Sequence, residues 1–580
     1  MDAPFVRRGP KTLAICRESD MSRNRRLLIL LPAVLLCLWL GAARAEGEPA
    51  DTLIDIYLVR DLAVNEPYEA DDRTYSREIA VPEFAESQAF FYRSTKDVFT
   101  YLVPVDATSG RTALHLSFAL LDEATTASVN GEALSAERPV TVSLLSVAEL
   151  RIATPKKRGL IRLKFTNLPI VSMSPDGGLY KNRDTPGTII IVDPQYRQHG
   201  WTEPALSAEA AFSRRGKSSA QYAAKHPYNF SLMKDGEKWD KSLLGLRVDS
   251  DWLLDSAYND ASRMRNRALM DVWNEVYRLP WDRTLSGATK GVFVELFIEG
   301  TYRGLYVLGE KQDRQQLGLA KAGSGRTSLL LRTGQANNDQ RSPAGFVSLG
   351  KETPAEGEPE QWYNVHIRYP QESDDYEALW QDYYDFTYLV VKGSQEEFAA
   401  RIGQYVDLDN LARYYLFANA VDLTDNMRKN MTFARLDDQD ERFNKFILVP
   451  WDMDSSLGRY YSSRKSRQTE TVSNRLFDRL IRENPGDFRR ILYEDWQALK
   501  TGALSLNGIM SHFDRYYALI HMTGADEREI AKTPKFTSYL KAAYSFTLNF
   551  ERELAYIRSF TEGRLQWLDG EIEGLLDEGD

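Results

Sequence analysis

Asn419-Ala420-Val421-Asp422-Leu423-Thr424-Asp425-Asn426-Met427-Arg428-Lys429-Asn430-Met431-Thr432-Phe433-Ala434-Arg435 opens a segment that ends in Phe446-Ile447-Leu448-Val449-Pro450-Trp451-Asp452-Met453-Asp454-Ser455-Ser456-Leu457-Gly458. Asp425 stands five residues before Asn430, and a strand-like apolar run delivers Asp452 and Asp454 to a turn closed by glycine. Phosphoryl transfer needs such a set: one Asp to accept the proton of an attacking hydroxyl, an Asn five residues later to hold metal, and a further Asp for metal that bridges phosphates. Either segment alone also fits a bland reading, Asp425 as a loop cap and Asp-x-Asp as a solvated turn. Their order, with a strand between, favours the chemical reading.

Upstream, residues 168–334 read as strands, one helix and a hairpin. Asp260 or Ser262 is expected to cap a helix running to about Tyr277, with Met264, Ala268, Val272 and Val276 on one face. Residues 292–298, Glu299-Gly300 and 301–308 read as strand, turn and strand. Gly216-Lys217-Ser218 resembles a phosphate loop only superficially, because Ala211 occupies the place of its first glycine. Residues 335–361, with Pro343, Pro354 and Pro359, read as a loop-rich surface insertion. Helices are expected at 376–391, 394–403, 408–420 and repeatedly after 472, with Asp407 and Asp409 as candidate caps. Tyr493, Trp496, Tyr516, Tyr517 and Trp567 fall at helical spacing and read as core.

Residues 46–167 carry short alternating runs such as Ala113-Leu114-His115-Leu116-Ser117-Phe118, broken by turns such as Asn130-Gly131, and read as a β-sandwich-like module. Before it, Arg23, Arg25 and Arg26, an apolar run over 27–40 and Ala43-Arg44-Ala45 have the anatomy of a signal peptide over 1–45, with Met21 as an alternative start. A single anchoring helix is the competing reading of that stretch. Cleavage would remove eight of 73 basic and three of 83 acidic residues, leaving a net charge of −15. An acidic body argues against nucleic acid as the main partner. Both cysteines, Cys16 and Cys37, would leave with the peptide, which excludes disulfides, thiol nucleophiles and zinc-thiolate sites from the mature chain. The expected location is therefore outside the cytoplasm: periplasmic, cell-surface or extracellular, with no membrane span after cleavage.

The chain resembles the CotH kinases, named for a spore-coat protein, from about residue 168 to 575. The resemblance rests on Leu168-Pro169-Ile170-Val171 with Asp176-Gly177-Gly178, Arg215-Gly216-x-Ser218-Ser219, Lys225-x-Pro227-Tyr228 and Asp251-Trp252-x-Leu254. It continues through Tyr258-Asn259-Asp260, Met264-Arg265-Asn266, the hairpin ending in Glu310, Asp425 with Lys429-Asn430, and Pro450-Trp451-Asp452-x-Asp454 with Gly458. It implies an α+β architecture: an atypical two-lobed kinase-like domain whose first lobe spans 168–334 and whose mainly helical second lobe spans 362–580. The implied activity is metal-dependent transfer of the γ-phosphate of ATP to Ser or Thr of a protein substrate, with Mg2+ or Mn2+. Carried over residue by residue, Asp425 is catalytic, Asn430, Asp452 and Asp454 hold metal, and Lys225 with Arg215 meets the ATP phosphates. An exposed lysine is the competing reading of Lys225, and Ser231 stands where the family often has a second lysine. No G-x-G-x-x-G loop, His-Arg before Asp425 or Phe-Gly after Asp452 is present. The alternatives are a non-catalytic surface or adhesion protein on the same fold, and transfer of AMP or another group using ATP.

Overall fold

The computed structural model describes residues 53–577, apart from stretches between or at the ends of elements, chiefly 60–66, 107–110, 118–125, 134–139, 335–342, 350–357, 461–464 and 538–544. The expected signal peptide and the linker after it lie outside the described residues. Among the described residues, no helix is long and apolar enough to cross a membrane. Helices and sheets are both present in quantity, an α+β protein as expected.

The amino-terminal module contains a four-stranded and a six-stranded sheet. Its last strand, Arg158–Thr166, pairs parallel to Val98–Pro104 and alternates its side chains, so that Leu163 and Phe165 are fully buried. Leu102 of the module packs with Ile170, Phe297 and Tyr302 of the next region, and Thr523 Oγ1 donates to Asn167 at 2.8 Å.

Seven strands then close on themselves. β1 (Ile170–Pro175), β2 (Thr185–Val192), β3 (Ala205–Arg214), β4 (Tyr228–Lys234), β5 (Asp251–Asp255), β6 (Gly291–Ile298) and β7 (Thr301–Glu310) pair in the order β3-β2-β1-β6-β7-β5-β4, and β4 returns to β3. All pairs are antiparallel except β1 with β6. Closure leaves an interior packed by Met173, Ile189, Phe212, Phe230, Trp252, Val294 and Leu308, each alternating with outward residues along its strand.

The expected helix is α1 (Arg265–Val276), and Met264, Ala268, Val272 and Val276 are all buried. The expected cap is corrected: the residue before the helix is Met264, and Asp260 acts from further back, accepting from the amides of Ser262 at 2.8 Å and Arg265 at 2.7 Å. A second, all-antiparallel sheet follows, with β8 (Leu329–Thr333), β9 (Gln361–Trp362), β10 (Val365–Tyr369), β11 (Thr432–Arg435) and β12 (Ile447–Val449) in the order β9-β10-β8-β11-β12.

Helices α2 (Tyr376–Lys392) and α3 (Gln395–Tyr405) begin on Asp375 and Ser394, each accepting a first-turn amide. Helix α4 (Leu408–Ala420) begins in the same way on Asp407, one of its two expected caps, with Asp409 inside the first turn. Trp496 and Tyr516 are buried, and Tyr493, Tyr517 and Trp567 pack against the same core. The expected surface insertion is corrected in part. Phe346 lies inside 335–361 yet is fully buried, edge-on to Phe386 at 5.2 Å and to Phe433 at 6.3 Å, because this part of the chain packs its ring into the core.

Candidate active site

The site forms where the chain leaves α4 and where it leaves β12. After α4, Asp422 adopts φ 54°, and the turn Thr424–Met427 closes with the amide of Lys429 donating to the Asp425 carbonyl at 3.0 Å. Asn430 takes φ 62°, its amide donates to the Thr333 carbonyl, and β11 begins. After β12, Asp452 takes φ 59° and Leu457 φ 46°. Left-handed backbone is uncommon outside glycine, and its concentration on these two turns marks them as over-determined by their surroundings.

Side chains lace the two turns together. Asn426 Nδ2 donates to the Trp451 carbonyl at 2.8 Å, and the Leu457 amide donates to the Val421 carbonyl at 2.7 Å. Asn430 Nδ2 approaches Asp452 Oδ2 at 3.5 Å. Gly458 (φ 83°) admits no side chain, because a Cβ there would run into Phe560 and the Tyr556 hydroxyl. From α1, Asn266 accepts from the Met453 amide through Oδ1 and donates to Asp255 Oδ2 through Nδ2, both at 3.0 Å. Arg265 reaches the carbonyls of Ser456 and Leu457.

Three of the sequence-predicted carboxylates thus converge. Asp425 pairs with Lys429 at 2.7 Å. Asp452 is in contact with solvent while protein atoms crowd it, as on the floor of a cleft, and Asp454 is half-buried. Burial, then the charges of Asp452 and Asp425, push the Asp454 carboxyl well above the usual range, although Asn259 hydrogen-bonds it. Asp452 is raised by burial and by Asp255 and Asp425, with Lys429 and Arg215 opposing. Burial works against the charge on Lys429, yet Asp425, Asp452 and Asp454 together raise its pKa. Among the described residues, neither Asp452 nor Asp454 has an ion-paired cation, and Lys429 and Arg215 offset their charge only at longer range.

Among the described residues, no three His, Cys, Asp or Glu side chains stand close enough to hold a metal by themselves. A hard divalent cation at a nucleotide site is ordinarily held by one or two carboxylates together with phosphates and water. Asp452, Asp454 and the Asn430 amide oxygen are the correct donor types for that.

Lys225 is not the exposed lysine of its bland reading, nor does it hydrogen-bond or pair with Asp425, Asp452 or Asp454. It is buried and donates to the Leu305 carbonyl and to both Glu529 oxygens at 3.0 Å. Burial lowers its pKa to about 8 against the pull of Glu529. Arg215 does reach the site, with its guanidinium 5.8 Å from the Trp451 ring. Asp255, Asn259, Asn266 and Lys429 were not singled out by sequence reasoning for roles at the site, although each stands inside or beside a quoted motif. For Asn266 the available signal was its place in the Met264-Arg265-Asn266 motif at the start of α1.

A family model described as CotH kinase protein matches residues 212–568, which takes in β4 to β12, α1 and both turns of the site. No curated protein matches the chain.

Proposed function

From the chain's membership of the CotH kinase family, we propose that this kinase-like protein is an exported, metal-dependent protein kinase that transfers the γ-phosphate of ATP to Ser or Thr. The observation that carries the reading is the excess of carboxylate at Asp452 and Asp454, converging with Asp425 in an accessible site. Asp425 would accept the acceptor hydroxyl's proton as the new O–P bond forms and the β–γ bridging bond breaks toward ADP. Lys429, 2.7 Å from Asp425, holds that carboxylate in place. Asp452, Asp454 and Asn430 would hold Mg2+ or Mn2+, which when bound neutralises charge on the phosphates. Asn266 fixes the turn by gripping the Met453 amide between the two carboxylates. Lys225 enters as the partner of Glu529, comparable to the Lys–Glu pair of protein kinases.

The two-lobed arrangement follows from the same reading, with the closed barrel as the first lobe and the second sheet and helices as the other. Incubation of the mature chain with ATP, Mg2+ or Mn2+, itself and generic protein acceptors is the test. A mass increase of one phosphoryl group on Ser or Thr supports the reading. A mass increase of AMP, or none, overturns it.

A further inference from the structure

Trp451, the residue before Asp452, is flanked by arginine. Arg332 of β8 places its guanidinium 4.4 Å from the indole centroid, and Arg215, from the end of β3, places its own at 5.8 Å. Arg368 is carried by β10 at the irregularity where the pairing of β10 with β8 shifts, next to the strand that bears Arg332. Among the described residues, none of the three has a carboxylate within ion-pair distance. The hydrogen bonds of Arg332 go to neutral oxygens, Gln312 Oε1 at 2.6 Å and Thr432 Oγ1 at 3.3 Å, and Gln312 is itself tied to Thr432 and to the Pro450 carbonyl. Burial, then the charges of Arg368 and Arg215, draw Arg332 down to about 9, with Asp452 and Asp313 opposing. Arg368 is lowered by burial and by Arg215.

Three like charges with no ion-paired carboxylate among the described residues, eased only at longer range by Asp452 and Asp313, retain capacity for an anion. An indole face orients guanidinium groups while leaving their N–H edges free. We infer that Arg215 and Arg332, which flank Trp451, form together with Arg368 a subsite for the polyphosphate chain of a nucleotide, beside Asp452. The inference rests on the nucleotide reading above and adds Arg332, Arg368 and Trp451 to it. Guanidinium groups meet phosphate oxygens in pairs, so the subsite selects for phosphate number rather than for the base.

Calorimetric titration of the full chain with ATP, ADP, AMP, adenosine and inorganic tripolyphosphate, each with Mg2+, is the test. Affinity is expected to fall from ATP to AMP, with tripolyphosphate binding in competition with ATP. Arg332→Gln and Arg368→Gln should each weaken ATP and tripolyphosphate roughly 10- to 100-fold, the range for one charged hydrogen-bonding group, and leave adenosine unchanged. Arg368 keeps contact with solvent although protein atoms crowd it, so its variant tests the subsite with less disturbance of the core than Arg332→Gln. Parent-like binding of ATP and tripolyphosphate by both variants overturns the inference and leaves the kinase reading intact. So does a loss confined to transfer onto acidic acceptors, which would make the trio an acceptor site. Tripolyphosphate binding without ATP binding keeps the anion subsite but overturns the nucleotide reading. Binding of neither overturns both.

Discussion

Two charged clusters of this molecule contrast sharply. Around Glu529 the protein supplies everything the carboxylate needs: Lys225 at 3.0 Å, the Arg263 Nε at 2.9 Å and the Leu305 amide at 2.9 Å, all buried. Gly304 (φ 102°) is part of that fit, because a Cβ there would collide with the carboxylate. Burial alone would raise Glu529, but its two cations hold it below the ordinary value. Around Asp452 and Asp454, no cation among the described residues comes within ion-pair distance, and Lys429 with Arg215 offsets the burial too little to keep either carboxyl from being raised. A satisfied ion cluster fixes structure, whereas an unsatisfied one facing solvent has room for a ligand of opposite charge. On the proposed reading, the Lys225–Glu529 pair is a satisfied cluster that holds the fold around the site, and the acidic turns are where the chemistry would take place.

The largest effects should separate the two clusters by what they change. Asp425→Ala is expected to lower phosphate transfer by roughly 10²–10⁴-fold, the usual contribution of a proton acceptor, while nucleotide affinity stays near the parent. Asp452→Ala is expected to remove metal-dependent nucleotide binding altogether. Phosphate incorporation and calorimetry measure the two halves, and neither variant should melt below the parent in the absence of metal. A large loss of folding in either would make the acidic turn structural and erase the contrast.

Next comes Glu529→Gln, which strands Lys225 and Arg263 in the interior. Removing one member of a buried ion cluster costs about 3–5 kcal/mol, so a clear drop in the denaturant midpoint is expected. Parent-like stability combined with lost ATP binding would instead place Glu529 at the chemistry.

A smaller effect concerns ligand linkage. Mg2+ with ATP at about one hundred times the dissociation constant should stabilise the parent by about 2.7 kcal/mol and leave Asp452→Ala unmoved. Thermal shift reads both, and equal shifts would relocate the metal.

The contrast also explains what could be read from sequence. Helix positions were legible because they depend on local chemistry: Asp407 caps α4 as expected, and the apolar face of α1 is buried, although the residue before α1 is Met264 rather than Asp260 or Ser262. The two turns carrying Asp425, Asn430, Asp452 and Asp454 were legible because each lies within a few residues of chain, and the structure brings them together. Barrel closure was not, since it depends on β3 meeting β4 and β1 running parallel to β6, pairings that no period along the chain encodes. The partner of Lys225 lies 304 residues away, and the arginines around Trp451 come from three strands distant in sequence. Phe346 was hidden by its proline-containing flanks, which resemble an insertion from end to end although the ring is core.

Asp422 lies between the two kinds of cluster, and the smallest predicted effect tests which it resembles. It is buried, accepts from Ser466 Oγ and from the Gly458 amide, and faces Arg564 and the more distant Glu470. Burial raises it from 3.8 to about 6 in spite of those donors. An acid raised on folding binds more protons folded than unfolded between about pH 4 and pH 6. Its contribution to stability is therefore full below that window and is lost as pH rises through 6. Two pKa units correspond to roughly 2–3 kcal/mol at most, because one unit is 1.36 kcal/mol. Asn keeps an acceptor for Ser466 but carries no charge to penalise, so Asp422→Asn should flatten the fall in stability across this window. The stability difference between parent and Asp422→Asn, from urea unfolding at pH 5 and pH 8, isolates this group from other carboxyls. The variant should gain on the parent at pH 8 relative to pH 5. A difference independent of pH would mean that Asp422 is as fully compensated as Glu529, and that the unsatisfied charge stops at the two turns that carry Asp425, Asp452 and Asp454.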